Sequence, residues 1–405
     1  MKFTLLLTTI ALVGCTNNNL QLDYVQAIWR HGARSALAPL YPIYEDDWVL
    51  GGGGFGELTP MGSGEMFELG TKMRQRYINN FNLLSQKYVA NEIFIRSTDK
   101  NRTILSANAL LYGLFPPGVW NLPNIDYPPN IGKWQNRFTF VPVHIIDDCV
   151  TRMDCDCPRY TQLSALLQTL PEFTTALAPY VAMSMEVQAL YNTTFASASE
   201  IFQWPDTLRC QRDAFAAELA IKTPWMNETF FNRAQTLIAP MKSMVEGYFL
   251  QNSTKNGINI AQEIKTLHAG PFLNEVRDRA VAKFNCIQNS ATCKGFFKTN
   301  KLYGYSAHDN TLYAILVALG LQNNSDSIDG WPEYAAGIFF EFYTKNNQQF
   351  FKILYRKGDD SPISPVSAQI PGCASNHLCP ISVLNALADL YKPLPDINSR
   401  CQVPL

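Results

Sequence analysis

Histidine, net charge and long apolar runs are all scarce in this sequence, and no Cys-x-x-Cys pair occurs. With five histidines in 405 residues and no such pair, a zinc site is not expected, and no other metal or cofactor is implied. Lys plus Arg is 33 and Asp plus Glu is 34, and no basic run stands out. That excludes the usual nucleic-acid and lipid-surface binders. Beyond the N-terminus no segment reaches about eighteen uninterrupted apolar residues, so no transmembrane helix is expected. Internal repeats and low-complexity tracts are missing too. Hydrophobic residues make up 47% of the chain, enough for a large core in one domain or two.

Met1 and Lys2 precede a mostly apolar stretch, 3–13, followed by small residues. This reads as a secretory signal over 1–16 and places the mature protein in a secreted or lumenal compartment, extracellular or lysosomal. A second reading takes Leu12-Val13-Gly14-Cys15 as a lipoprotein signal with Cys15 lipidated. Asn-x-Ser/Thr sequons start at Asn101, Asn192, Asn227, Asn252 and Asn323 and suit a glycosylated protein, although an Asn-rich chain forms some by chance. Of the ten cysteines, only Cys15 lies in the signal. In an exported chain the rest read as disulfides, with one left over. Cys286 with Cys293 and Cys373 with Cys379 are close enough for local clips, and Cys149, Cys155 and Cys157 crowd one segment.

Three short apolar runs each lead into a polar cluster. Residues 24–29 end in Arg30-His31-Gly32, residues 92–95 in Arg96-Ser97-Thr98-Asp99, and residues 301–306 in Ala307-His308-Asp309. Their aromatic and β-branched content predicts strands. Helical spacing follows the second and third runs, over 103–114 and 311–319. Two late runs flanking Asn346-Asn347 predict a hairpin at a sheet edge. Alternating strands and helices predict an α/β fold: a mixed, mainly parallel central sheet flanked by helices. Residues 145–285 are mostly helical in spacing and read as a smaller cap, inserted between core segments 17–144 and 286–405.

In such sheets, ligands bind beyond the carboxyl ends of the strands, where all three clusters fall. Arg30, Arg34 and Arg96 supply forked cationic donors that match phosphate oxygens. His31 and His308 supply imidazoles, and Asp309 a carboxyl group. Phosphoryl transfer needs oxygens neutralised, an in-line nucleophile and a proton for the leaving group. This set offers all three without a metal. Arginines beside His31 keep its attacking nitrogen unprotonated, and Asp309 is placed to protonate the leaving alcohol. The bland readings are a helix cap for His308-Asp309 and a surface ion-pair cluster for Arg96, Asp99 and Arg102.

The segments Arg30-His31-Gly32-Ala33-Arg34-Ser35, Arg96-Ser97-Thr98-Asp99-Lys100-Asn101-Arg102-Thr103 and Tyr305-Ser306-Ala307-His308-Asp309-Asn310 resemble the three signatures of the histidine acid phosphatases. The likeness is nearest to the prostatic and lysosomal type. It extends to Gly56-Glu57-Leu58-Thr59-Pro60-Met61-Gly62, to Leu114-Phe115-Pro116-Pro117, to Cys157-Pro158-Arg159-Tyr160 and to Pro371-Gly372-Cys373. The resemblance implies a metal-free acid phosphatase acting on small phosphomonoesters, with His31 as nucleophile and Asp309 as proton donor. It implies Arg30, Arg34, Arg96 and His308 as phosphate ligands, and Cys157–Cys401 and Cys373–Cys379 as disulfides. The chain departs from the family motif at Ala33 and Ala36, and Ala336 stands where relatives carry a cysteine partner. Cys210 is therefore the expected odd thiol, with Cys149–Cys155 and Cys286–Cys293 as local bridges. A homodimer is compatible with this reading. The alternatives are a phytase-like phosphatase of the same superfamily, or an inactive secreted binding protein on the same fold.

Overall fold

The structure, a computed structural model, describes residues 20–119, 122–128, 140–146, 148–151, 155–191, 194, 198–250, 253–322, 331–358 and 360–405. The expected signal with Cys15, and the sequon asparagines Asn192, Asn252 and Asn323, lie outside the described residues.

The strands are β1 (Gln21–Arg30), β2 (Ile93–Ser97), β3 (His144–Ile145), β4 (Thr254–Lys255), β5 (Ile258–Asn259), β6 (Leu302–Ala307), β7 (Gly337–Lys345), β8 (Gln348–Arg356), β9 (Ser364–Pro365) and β10 (Cys379–Pro380). Eight of them form one sheet in the order β10-β8-β7-β1-β6-β2-β3, with β9 paired to β8. β1, β6 and β2 are parallel neighbours, and β3 extends the parallel set, whereas β7 runs antiparallel to β1. The predicted mixed sheet is thus present. The hairpin of β7 and β8 turns at Asn346 and Asn347, both with positive φ (50° and 61°), as a tight two-residue turn requires. It corrects the edge placement: β7 sits inside the sheet beside β1.

β1 is apolar on both faces because both are covered. Val25, Ala27 and Trp29 pack with Met66, Leu69 and Met73 of α1 (Pro60–Arg74) and with Leu110 and Leu114 of α2 (Asn101–Leu114). Tyr24 and Ile28 face the opposite layer.

The helices that follow are α3 (Pro158–Leu167), α4 (Pro171–Tyr191), α5 (Ala198–Lys222), α6 (Glu228–Val245) and α7 (Ile260–His268). They build two apolar clusters apart from the sheet, one around Leu163, Phe173 and Ile264 and one around Val187, Trp204 and Phe231. α8 (Gly270–Gln288) behaves differently. Its Phe272, Leu273, Val276, Ala280 and Phe284 pack on the sheet with Tyr305 and Phe340. α8 thus packs on the sheet although it lies within the segment 145–285 that spacing alone reads as a cap. Periodicity marks the buried face of a helix but not the layer it buries against. α9 (Phe296–Thr299) follows, and α10 (Asp309–Leu319) completes the α8 layer, with Leu312 and Ile315 in the same cluster. α11 (Ile381–Leu390) and α12 (Ile397–Gln402) end the chain.

The four disulfides are Cys149–Cys155, Cys157–Cys401, Cys286–Cys293 and Cys373–Cys379, as expected. Cys210 is free and buried. Among the described residues, no helix is long and apolar enough to cross a membrane.

Glu341 sits in the middle of β7 with no solvent exposure. Arg76 reaches it through two hydrogen bonds of 2.5 and 2.8 Å, and the Tyr343 hydroxyl donates a third at 2.5 Å. Removing the arginine strands a buried charge. We expect Arg76→Met to cost about 3–5 kcal/mol in urea unfolding. A loss below about 1 kcal/mol would show that this pair is not holding the strand.

Candidate active site

The three parallel strands end at one edge of the sheet, in register at Arg30–Ala307 and Ser97–Ser306. The chain leaving β1 is pinned at once. The His31 amide donates to the Ala307 carbonyl at 3.1 Å, and the Ala335 amide donates to the His31 carbonyl at 3.2 Å. The Gly32 amide donates to Ser106 Oγ at 3.1 Å, and the Ala33 amide to Glu65 Oε2 at 2.7 Å. Thr59, the residue capping α1, donates from both its amide and its hydroxyl to the Ala33 carbonyl. A Cβ on Gly32 would lie 2.2 Å from the Gly62 carbonyl oxygen, and one on Gly62 would lie 2.2 Å from that of Ala33. Two backbones touch here, and glycine is the residue that lets them.

His31 is 2% exposed. Its Nδ1 lies 2.8 Å from the Gly32 carbonyl oxygen, which can only accept. Nδ1 therefore carries the hydrogen, and Nε2 holds the lone pair. Burial pushes the His31 pKa well below its ordinary value, and Arg30, Arg102, His308 and Arg34 push it further the same way. The His308 ring lies edge-on to it at 5.6 Å. His308 Nε2 is hydrogen-bonded to Thr98 Oγ1 at 3.0 Å.

The guanidiniums here are buried and partly neutralised. Arg30 pairs with Asp309 Oδ2 at 3.2 Å, donates to the Pro332 carbonyl at 2.8 Å and stacks 4.1 Å from the Tyr334 ring centroid. Arg34 pairs with Asp206 Oδ2 at 2.8 Å and donates to Cys210 Sγ at 3.4 Å. Burial pushes Arg102 down to about 10, with Arg34 and Arg30 adding to the shift and Asp309 and Asp206 opposing it. The Nε atoms of Arg30, Arg34 and Arg102 are buried with no hydrogen-bond partner. An oxyanion among them would relieve both the missing bonds and the mutual repulsion. Asp309 opens α10, and its Oδ1 accepts from the Asn310 amide at 2.9 Å.

Arg30, His31, Arg34, His308 and Asp309 thus converge as expected. Arg96 does not join them. Its guanidinium pairs with Asp148 at 3.2 Å and Glu275 at 3.6 Å and lies 4.9 Å from the Tyr305 ring centroid, on the α8 side of the sheet. The reason is strand alternation: Ile93 and Ile95 face α1 and α2, so Phe94 and Arg96 face the other way. Arg102, in the first turn of α2, takes the place expected of Arg96. The period-two pattern of β2 carried that information. Asp206, Cys210 and Tyr334 carry no comparable local signal, because they reach the site only through tertiary packing. Among the described residues no group of three or more His, Cys, Asp or Glu could hold a metal ion.

Residues 21–356 match the family model described as histidine phosphatase superfamily, branch 2. The chain is 46% identical over 410 residues to the Caenorhabditis elegans protein named "Putative acid phosphatase 10", covering 100% of both. It is 28% identical over 383 residues to prostatic acid phosphatase of Rattus norvegicus, covering 92% of this chain and 87% of that one. Its fold is similar to that of the phytase from Citrobacter braakii, with a TM-score of 0.59 at 15% identity, covering 95% of this chain and 100% of that one.

Titration of inorganic phosphate into the protein by calorimetry separates the two arginines. Arg102→Gln should weaken phosphate by about tenfold to a hundredfold, the worth of a charged hydrogen bond. Arg96→Gln should leave it within about threefold and act on stability instead. The opposite ranking would return Arg96 to the site.

Proposed function

The chain belongs to the histidine phosphatase superfamily, branch 2, and is a phosphatase; we propose that it hydrolyses phosphate monoesters through a covalent phosphohistidine on His31. The observation that carries this reading is a buried imidazole with its lone pair on Nε2, ringed by Arg30, Arg34 and Arg102. In the proposed reaction these guanidiniums and His308 bind the phosphoryl oxygens. His31 Nε2 attacks phosphorus in line, and the bond from phosphorus to the ester oxygen breaks. Asp309 gives its proton to the departing alkoxide. It then takes a proton from the water that attacks the phosphoimidazole, releasing phosphate and restoring His31 and Asp309. Charge spread over the phosphoryl oxygens meets donors already in place, so little reorganisation is needed at the transition state. The helices between residue 145 and about 269 act in this reading as a cap over the site.

The pH dependence follows from the lowered His31 value. The folded pKa lies below the ordinary one, so the ring stays neutral in the window between the two. Protonation stops attack only as pH falls through the lowered value. Asp309 must carry its proton to donate it, which mildly acidic solution favours.

Export is part of the same proposal. Four disulfides suit an oxidising compartment. The sequon residues Asn101 and Asn227 are exposed and open to glycosylation.

Three measurements test the mechanism. Rapid quenching of wild type with labelled substrate should trap phosphate on histidine, and His31→Ala should lose both the label and at least about a thousandfold in kcat. Label on another residue type would overturn the nucleophile. Asp309→Asn should slow alkyl phosphates far more than p-nitrophenyl phosphate, whose leaving group needs no proton; equal slowing removes Asp309 as donor. The acid limb of kcat/KM should fall below the ordinary histidine value of about 6.5. A limb at or above it would contradict a neutral His31.

A further inference from the structure

One turn of α5 presents Asp206, Arg209 and Cys210 to the core at i, i+3 and i+4. Asp206 takes Arg34 at 2.8 Å, and Cys210 Sγ lies 3.4 Å from Arg34 Nη1 and 3.3 Å from the Tyr334 hydroxyl. Burial, then Asp206, pushes the Cys210 thiol up to about 11, so it packs as a neutral group. Arg209 pairs with Glu333 and lies 5.0 Å from the centroid of the Tyr334 ring that Arg30 also covers. The insertion therefore places a carboxylate directly on one of the site's cations.

Resting on the phosphatase reading above, we propose that Asp206 is a specificity-determining residue: its carboxylate, shared with Arg34, selects substrates carrying one phosphate group and disfavours a second anionic group nearby.

The guanidinium is a rigid planar fork, and Asp206 occupies its Nη2 donor while Nε is buried without a partner. A phosphate that uses Nε shares the same planar group with Asp206. The two anions then stand only about 6 Å apart. Asp206 also acts on Arg102, a second cation of the site. The inner set holds three guanidiniums (Arg30, Arg34, Arg102); with Asp309 carrying the proton it donates, Asp206 is the charged carboxylate, so 3 − 1 leaves two net positive charges. One dianionic phosphate already matches them. The next guanidiniums along α5 offer no surplus: Arg209 is paired with Glu333 and Asp213, and Arg212 with Glu228. A second phosphate meets a carboxylate and no uncommitted cation among these residues.

The test compares matched substrates, fructose 6-phosphate and fructose 1,6-bisphosphate, at one pH and ionic strength. Asp206→Asn keeps the size of the side chain and an acceptor for Arg34 and removes the charge. The ratio of kcat/KM, bisphosphate over monophosphate, should rise on the order of tenfold, and more at low salt. A merely structural role would lower both substrates together and leave the ratio unchanged, which overturns the proposal. Asp206→Ser should move the ratio the same way and serves if the asparagine variant does not fold. Calorimetric affinities of wild type for phosphate and pyrophosphate give a readout that needs no turnover: pyrophosphate binding tighter than phosphate overturns the proposal. Absence of turnover by wild type would instead count against the mechanism proposed above, while the calorimetric ratio still decides this one.

Discussion

Parallel pairing of β1, β6 and β2 is the constraint on which the rest depends. Antiparallel neighbours send their carboxyl ends to opposite edges of a sheet. Three parallel neighbours send theirs to one edge, so Arg30-His31, Thr98 and His308-Asp309 meet although they lie far apart in sequence. The pairing requires crossover connections, and those are the helices that cover the sheet. The same requirement leaves β1 buried on both faces, which is why Tyr24, Val25, Ala27, Ile28 and Trp29 are all apolar ahead of Arg30.

That arrangement concentrates cations where burial is costly. Arg30 and Arg34 are held by carboxylates from separate parts of the chain: Asp309 at the start of α10 and Asp206 on α5. None of these pairs is valuable as a stabiliser in itself, since desolvation offsets most of the attraction. Their consequence is electrostatic preorganisation. The cations are fixed and incompletely matched, and an oxyanion is the group that completes them. His31 gains from the same field, because every neighbouring guanidinium opposes its protonation.

Backbone contacts hold this field in place. The loop after β1 is tied to the start of α1 through Thr59, Gly62 and Glu65 and to α2 through Ser106. Those contacts allow little freedom at Gly32 and Gly62. They explain why a segment carrying charged side chains can be buried and still have one conformation: nearly every main-chain polar group has a fixed partner.

Composition, strand-like runs and polar run ends were enough to read the α/β class and the gathering of Arg30, His31, Arg34, His308 and Asp309 at one sheet edge, and the four disulfide pairs with help from a family resemblance. These features are local or follow from order along the chain. The exchange of Arg96 for Arg102 was also written there, in the alternation of Ile93, Phe94, Ile95 and Arg96, but it needs the knowledge of which sheet face meets α8. That α8 packs on the sheet was hidden for the same reason: it is amphipathic whichever layer it covers. The partnership of Asp206 with Arg34, and of Cys210 with Tyr334, was decided by tertiary structure alone. Those pairs are 172 and 124 residues apart, and nothing along a one-dimensional chain fixes how a helical insertion folds back on the sheet it interrupts.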